Sequence, residues 1–150
     1  MRKRLIDSTP ESMRTRGEGW LDIQSAAVVE VTSEDPNCPI ESAFDSGDAR
    51  GWRAAAPGSQ TIRLVFDQPQ RLKCISLVFE ENETARTQEF RGSSVKEIAR
   101  QQWNFSPPDS IREVEEYQVE LASVTVLELA INPNISGGLA CASLKNLRLS

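Results

Sequence analysis

A chain of 150 residues, 39% hydrophobic and 26% charged, is long enough to close one domain around a single core. It has no run of about 18 apolar residues, and no apolar stretch follows its basic start from Met1 to Asp7, so neither a membrane span nor a secretory signal is expected and the protein is placed in the cytoplasm. Net charge is −5, but Arg2, Lys3, Arg4, Arg14 and Arg16 against Asp7 and Glu11 give residues 1–16 a balance of +3, which leaves −8 on an acidic body that disfavours nucleic acid.

Residues 1–19 are polar, carry Pro10, Gly17 and Gly19, and form an irregular lead to a domain spanning 20–150. Leu21 to Thr32 is expected to be a first strand, with β-branched residues gathered at its end. Ser33 to Pro39 is a turn cluster, and a loop continues from it to Gly58, a length that implies internal packing or a function. Ile62, Leu64 and Phe66 then alternate on one face, and Ile75, Leu77 and Phe79 do the same in the stretch Leu72 to Phe79. With Asp67-Gln68-Pro69-Gln70 between them as a turn, the two runs predict a hairpin. Thr87 to Phe90 begins a further strand. Ser94 to Trp103 fits either a helix, with Ser94 and Glu97 as a capping box, or a strand, which is favoured at the Trp103 end. Glu113 to Leu121 alternates, Val124 to Ile131 is a dense apolar strand, and Ala142 to Leu149 closes the chain. Seven or eight short strands divided by Pro, Gly and Asn turns predict an all-β, antiparallel sandwich or jelly roll.

Histidine is absent, which removes the commonest general base and the commonest metal ligand together. No Ser–His or Cys–His pair can form, so a non-catalytic role is expected. Cys38, Cys74 and Cys141 lie too far apart for a zinc pattern and are expected to be free or buried thiols.

The order of Gly51-Trp52, Gln60-Thr61-Ile62-Arg63-Leu64-Val65-Phe66, Pro69 and the strand Leu72 to Phe79 resembles the discoidin or coagulation factor type C family. Ala142 to Leu149 is similar to that family's last strand. Arg86 to Phe90 and Gln101 to Pro107 resemble blocks of bacterial proteins labelled carbohydrate-binding. Trp52-Arg53-Ala54-Ala55 with Gly58 and Thr61-Ile62 looks like the N-terminal domain of a eukaryotic single-strand-break repair scaffold. The resemblance covers residues 20–150 and implies a galactose-binding-like jelly roll. It also implies a structural calcium ion in the first long loop, for which Asp45 and Asp48, with Asn37 or backbone carbonyls, are the candidate oxygens. Where the family often carries a glutamate near its last strand, Asn146 stands here.

Four residues are nominated for ligand binding. Trp52 and Arg53 at the loop end would make a stacking platform with a charged rim, although the favoured reading of Trp52 is a plug in the core. Arg86 and Gln88 would supply hydrogen bonds to hydroxyls near one rim. The resemblance implies a non-catalytic module binding carbohydrate or another small polar ligand, to which these residues would contribute. The alternative is a cytoplasmic protein-interaction domain that works through an exposed strand edge or an acidic rim.

Overall fold

The computed structural model describes residues 20–45, 47–48, 50–80, 86–94, 97–105, 112–135 and 140–150, with the side chains of 86–88 and 103–105 left aside. The expected lead, residues 1–19, lies outside the described residues.

In chain order the elements are α1 (Ile23–Ala26), β1 (Ala27–Val31), α2 (Glu41–Phe44), β2 (Trp52–Pro57), β3 (Gln60–Glu80), β4 (Arg86–Ser93), β5 (Glu97–Phe105), β6 (Arg112–Asn132), β7 (Cys141–Leu144) and β8 (Asn146–Leu149). The all-β antiparallel sandwich expected from the sequence is the fold observed, and every named strand pair is antiparallel.

Two strands of 21 residues each, β3 and β6, run antiparallel along their whole length. Their register slips between Val65 and Cys74 on β3, opposite the stretch of β6 from Gln118 to Val126. Bulges bend and twist a paired ribbon, so the two strands turn a corner together instead of ending. On one side of the corner, β1 joins Ile62 to Phe66, and β4 with β5 extends the sheet beyond β6. On the other side, β8 pairs with Ile75 to Val78. The two halves meet face to face: Phe90 on β4 has its ring centroid 5.8 Å from Phe79 on β3 and 6.2 Å from Tyr117 on β6. Between them lies the core, with Ile62, Leu64, Leu77, Phe79, Phe90, Leu127 and Leu129 all buried.

The expected hairpin at residues 67–70 is therefore corrected to a bulged corner within one strand. Pro69 is tolerated there because the register slips between Val65 and Gln70, so its missing N–H takes no bond from a regular ladder. For the same reason the two strands expected over 113–131 are one. The first expected strand is divided: Asp22 accepts N–H bonds from Ser25 and Ala26 through its carbonyl and a hydroxyl bond from Ser25 through its carboxylate, and this winds a single helical turn ahead of Ala27. The long loop carries α2 and ends in β2, a strand that its Ala-rich sequence concealed. Glu97 to Phe105 is a strand, and Ser94 donates to the Val126 carbonyl instead of capping a helix. The closing run is two strands, interrupted at Lys145, whose N–H reaches the Val78 carbonyl.

Gly51 has φ +68°, and a Cβ built there would lie 2.8 Å from the Leu144 carbonyl oxygen and the Lys145 Cα, whereas Gly58, at φ +96°, has open space around it. Both positions strain an L side chain, but only the first also collides with backbone. Gly51→Ala is expected to cost about 2–4 kcal/mol and Gly58→Ala about 1 kcal/mol in urea denaturation. Equal costs would contradict the close approach of β7 to Gly51.

Candidate functional site

Trp52 opens β2 opposite Leu144 of β7 and is only 1% exposed. Its indole N–H donates to the Ser33 carbonyl at 3.1 Å. The Ser33 hydroxyl in turn donates to Gln60 Oε1 and accepts from the Ala55 N–H. Gln60 is 7% exposed and its Oε1 also takes the Thr32 hydroxyl at 2.5 Å, so this buried amide ties β1, β2 and β3 together. Trp52 has no face to offer a sugar. The platform reading is corrected: with its apolar rings buried and its one donor satisfied, Trp52 is core.

Arg53 is exposed beside it. Its backbone is held on both sides, its N–H by the Cys38 carbonyl and its carbonyl by the Asp35 N–H, which fixes the loop onto β2. Arg86 and Gln88 sit on β4 in register with Phe105 and Trp103 of β5, and their side chains lie outside the described residues. Since β2 pairs with β7 while β4 pairs with β5 and β6, the four nominated residues occupy two separate sets of strands.

Asp45 and Asp48 share one turn, in which the Asp48 N–H donates to the Asp45 carbonyl. Their carboxylates are already engaged. Asp45 Oδ1 accepts the Gly47 N–H at 2.9 Å. Asp48 Oδ1 accepts the N–H and the Nε–H of Arg50, and its Oδ2 accepts Nη2 at 2.8 Å. The Arg50 side chain, then its backbone N–H, hold the Asp48 carboxyl well below the usual carboxylate range. A carboxyl lowered in this way keeps its stabilising contribution above the ordinary aspartate pKa and loses it only as pH falls through the lowered value.

A larger feature emerges at the corner of the sandwich. An open groove of about 400 Å³ lies between the β4–β5 turn and the bend of β6. It is lined by the apolar residues Ile98, Val119, Leu121 and Val124 together with the polar residues Ser94, Glu97, Glu120 and Ser123. Glu97 is paired with Arg100 at 3.3 Å. Further along the same face of β6, the Tyr117 hydroxyl donates to Glu115, and burial, with Glu115 nearby, pushes its pKa up. Sequence reasoning missed the groove because the bulge that opens it belongs to the pairing of β3 with β6. The exposed Ala122-Ser123 between two apolar runs was the only local sign.

A second cavity, of about 200 Å³, adjoins Trp20, Asp22, Phe44 and Arg148. The Arg148 guanidinium carbon lies 5.1 Å from the Trp20 ring centroid, so a cation already covers that aromatic face. Among the described residues, no group of three or more His, Cys, Asp or Glu is placed to hold a metal ion, and no helix is long and apolar enough to cross a membrane.

No protein-family model and no curated protein matches the chain. Solved structures do. The family 32 carbohydrate-binding module of NanJ from C. perfringens, in complex with galactose, superposes with a TM-score of 0.60 at 15% identity, over 84% of this chain and 94% of that one. A pectin-binding carbohydrate-binding module superposes with a TM-score of 0.58 at 16% identity, over 83% and 90%. Reduced XRCC1 bound to the catalytic domain of DNA polymerase beta gives 0.58 at 14%, over 83% and 94%. At these identities the likeness is one of fold, and the fold shared is the antiparallel jelly-roll sandwich.

The two neighbours at the loop end should separate cleanly on mutation. Trp52→Ala opens a cavity in the core and is expected to cost about 3–5 kcal/mol, whereas Arg53→Ala should stay within about 0.5 kcal/mol. Chemical denaturation of both variants is the measurement. Similar small costs would return Trp52 to the surface.

Proposed function

We propose that this chain is a non-catalytic binding module whose ligand, a carbohydrate or another small polar molecule, lies in the groove between the β4–β5 turn and the bend of β6. The observation that carries the reading is that one open groove is lined both by apolar residues and by residues bearing carboxylates and hydroxyls. A pyranose has the same two-sided chemistry, an apolar C–H face and a rim of hydroxyls that bond to carboxylates. Neighbours of the same fold bound to galactose and to 4,5-unsaturated mannuronic acid support the ligand class. A sequence without histidine is consistent with a module that binds without chemistry.

A second reading, a protein-interaction domain with the same fold, is favoured by one feature. Among the described side chains every aromatic ring is buried or half-buried, so the groove offers aliphatic side chains where a sugar platform would present a ring. XRCC1, with the same fold, is bound to a protein.

Thermal melts against a broad glycan panel test the first reading. A glycan at a hundredfold excess over its Kd stabilises by about 2.7 kcal/mol, a rise of roughly 5–10 °C for a domain of this size. Glu120→Lys is expected to abolish that rise while leaving the unliganded melt within about 2 °C of the unsubstituted chain. A panel that leaves the melt unmoved, or a rise that Glu120→Lys leaves intact, would sink the carbohydrate reading at this groove.

A further inference from the structure

The resemblance implies a calcium ion in the loop between β1 and β2. A calcium site needs six to eight oxygens with lone pairs turned to one point. The candidate oxygens of this loop are turned instead to N–H donors. Both carboxylate oxygens of Asp48 face the Arg50 fork, and Arg50 Nη1 donates on to the Asn37 carbonyl at 3.2 Å. Asp45 spends its Oδ1 on Gly47 and its carbonyl on Asp48. Deeper in, the Ala43 carbonyl at the end of α2 accepts Nδ2 of Asn146 at 3.0 Å. Asn146 stands near the last strand, where the family often has a glutamate, and it is 7% exposed. Its Oδ1 is filled by Arg148 Nε at 2.9 Å.

We propose that the Arg50 guanidinium, bridging Asp48 to the Asn37 carbonyl, and the Asn146 amide on Ala43 do in this chain what a bound calcium ion would do, so that the loop is organised without a metal. A guanidinium carries a permanent charge and several donors in a rigid plane, which lets one side chain neutralise Asp48 and still reach a carbonyl thirteen residues earlier. A divalent ion entering the same turn would have to displace that cation and would meet its charge. An amide at Asn146 suits the same arrangement: it donates to the carbonyl that a carboxylate would repel. The outer tie, through Arg50, is partly exposed, and the inner one, through Asn146, is buried.

The test is calorimetry on the whole chain. The melting temperature in millimolar calcium is expected to match that in EDTA within about 1 °C, and calcium titration should give no heat of binding. Arg50→Met should lower the melting temperature by roughly 2–5 °C, Arg50→Lys by less, and Asp48→Asn should cost nothing further once Arg50 is Met. A calcium-dependent rise of several degrees in the unsubstituted chain overturns the proposal, as does an Arg50→Met variant that melts with it. Should Arg50→Met fail to fold, Arg50→Lys and Asp48→Asn carry the same comparison, and the calcium arm needs no variant.

Discussion

The antiparallel ribbon formed by β3 and β6 is the constraint on which the other elements depend. Each strand supplies 21 residues, and neither is divided by a turn. A ribbon of that length, bulged on both sides near its middle, has to bend, and bending brings its two halves into opposite layers. The apolar alternation then needs no separate explanation. Ile62, Leu64 and Phe66 before the corner, and Ile75, Leu77 and Phe79 after it, are buried within the single core. Of the remaining strands, β1, β4 and β8 pair directly with one half of this ribbon, and β5 joins it through β4.

Polar groups fasten the remaining chain to that frame. The Gln60 amide joins Thr32, Ser33 and the Ala56 carbonyl in a partly buried network, and Trp52 adds its N–H to the same serine. Such a network is stabilising only when each member is satisfied, and these members are. On the opposite flank the Glu30–Arg63–Glu128 ion pairs cross β1, β3 and β6 on the exposed face. Exposed pairs of this kind contribute little individually. The loop before β2 is therefore held from below by core and amide hydrogen bonds and closed from above by the Arg50 fork.

Functional potential follows from the same geometry. A bend in a sheet leaves a recess where side chains that would have met a neighbour face solvent, and here the recess is lined by aliphatic residues together with glutamates and serines. The proposed ligand groove is thus at the corner of the ribbon, away from the loop end that the aromatic residues of the sequence first suggested. Both layers stay intact around it because the corner is made by bulges and not by a break.

The sequence by itself determined the fold class, the buried face of the strands that alternate, and the absence of histidine chemistry. Period-two alternation at Ile62 to Phe66, Ile75 to Phe79 and Glu113 to Leu121 is a local property that burial on one side of a sheet dictates. Only the tertiary structure decided whether Asp67 to Gln70 turned the chain back or bent it, because a Pro-bearing polar stretch fits a turn or a bulge, and the outcome lies with the partner strand. Trp52 was ambiguous for a similar reason: an aromatic beside a glycine suits a core or a platform until its neighbours are known, and the Ser33 carbonyl and Leu144 supply them. The fate of Asp48 likewise turned on Arg50. Acidic residues in a loop show only that a positive charge is wanted, and the folded chain provides it from two residues away.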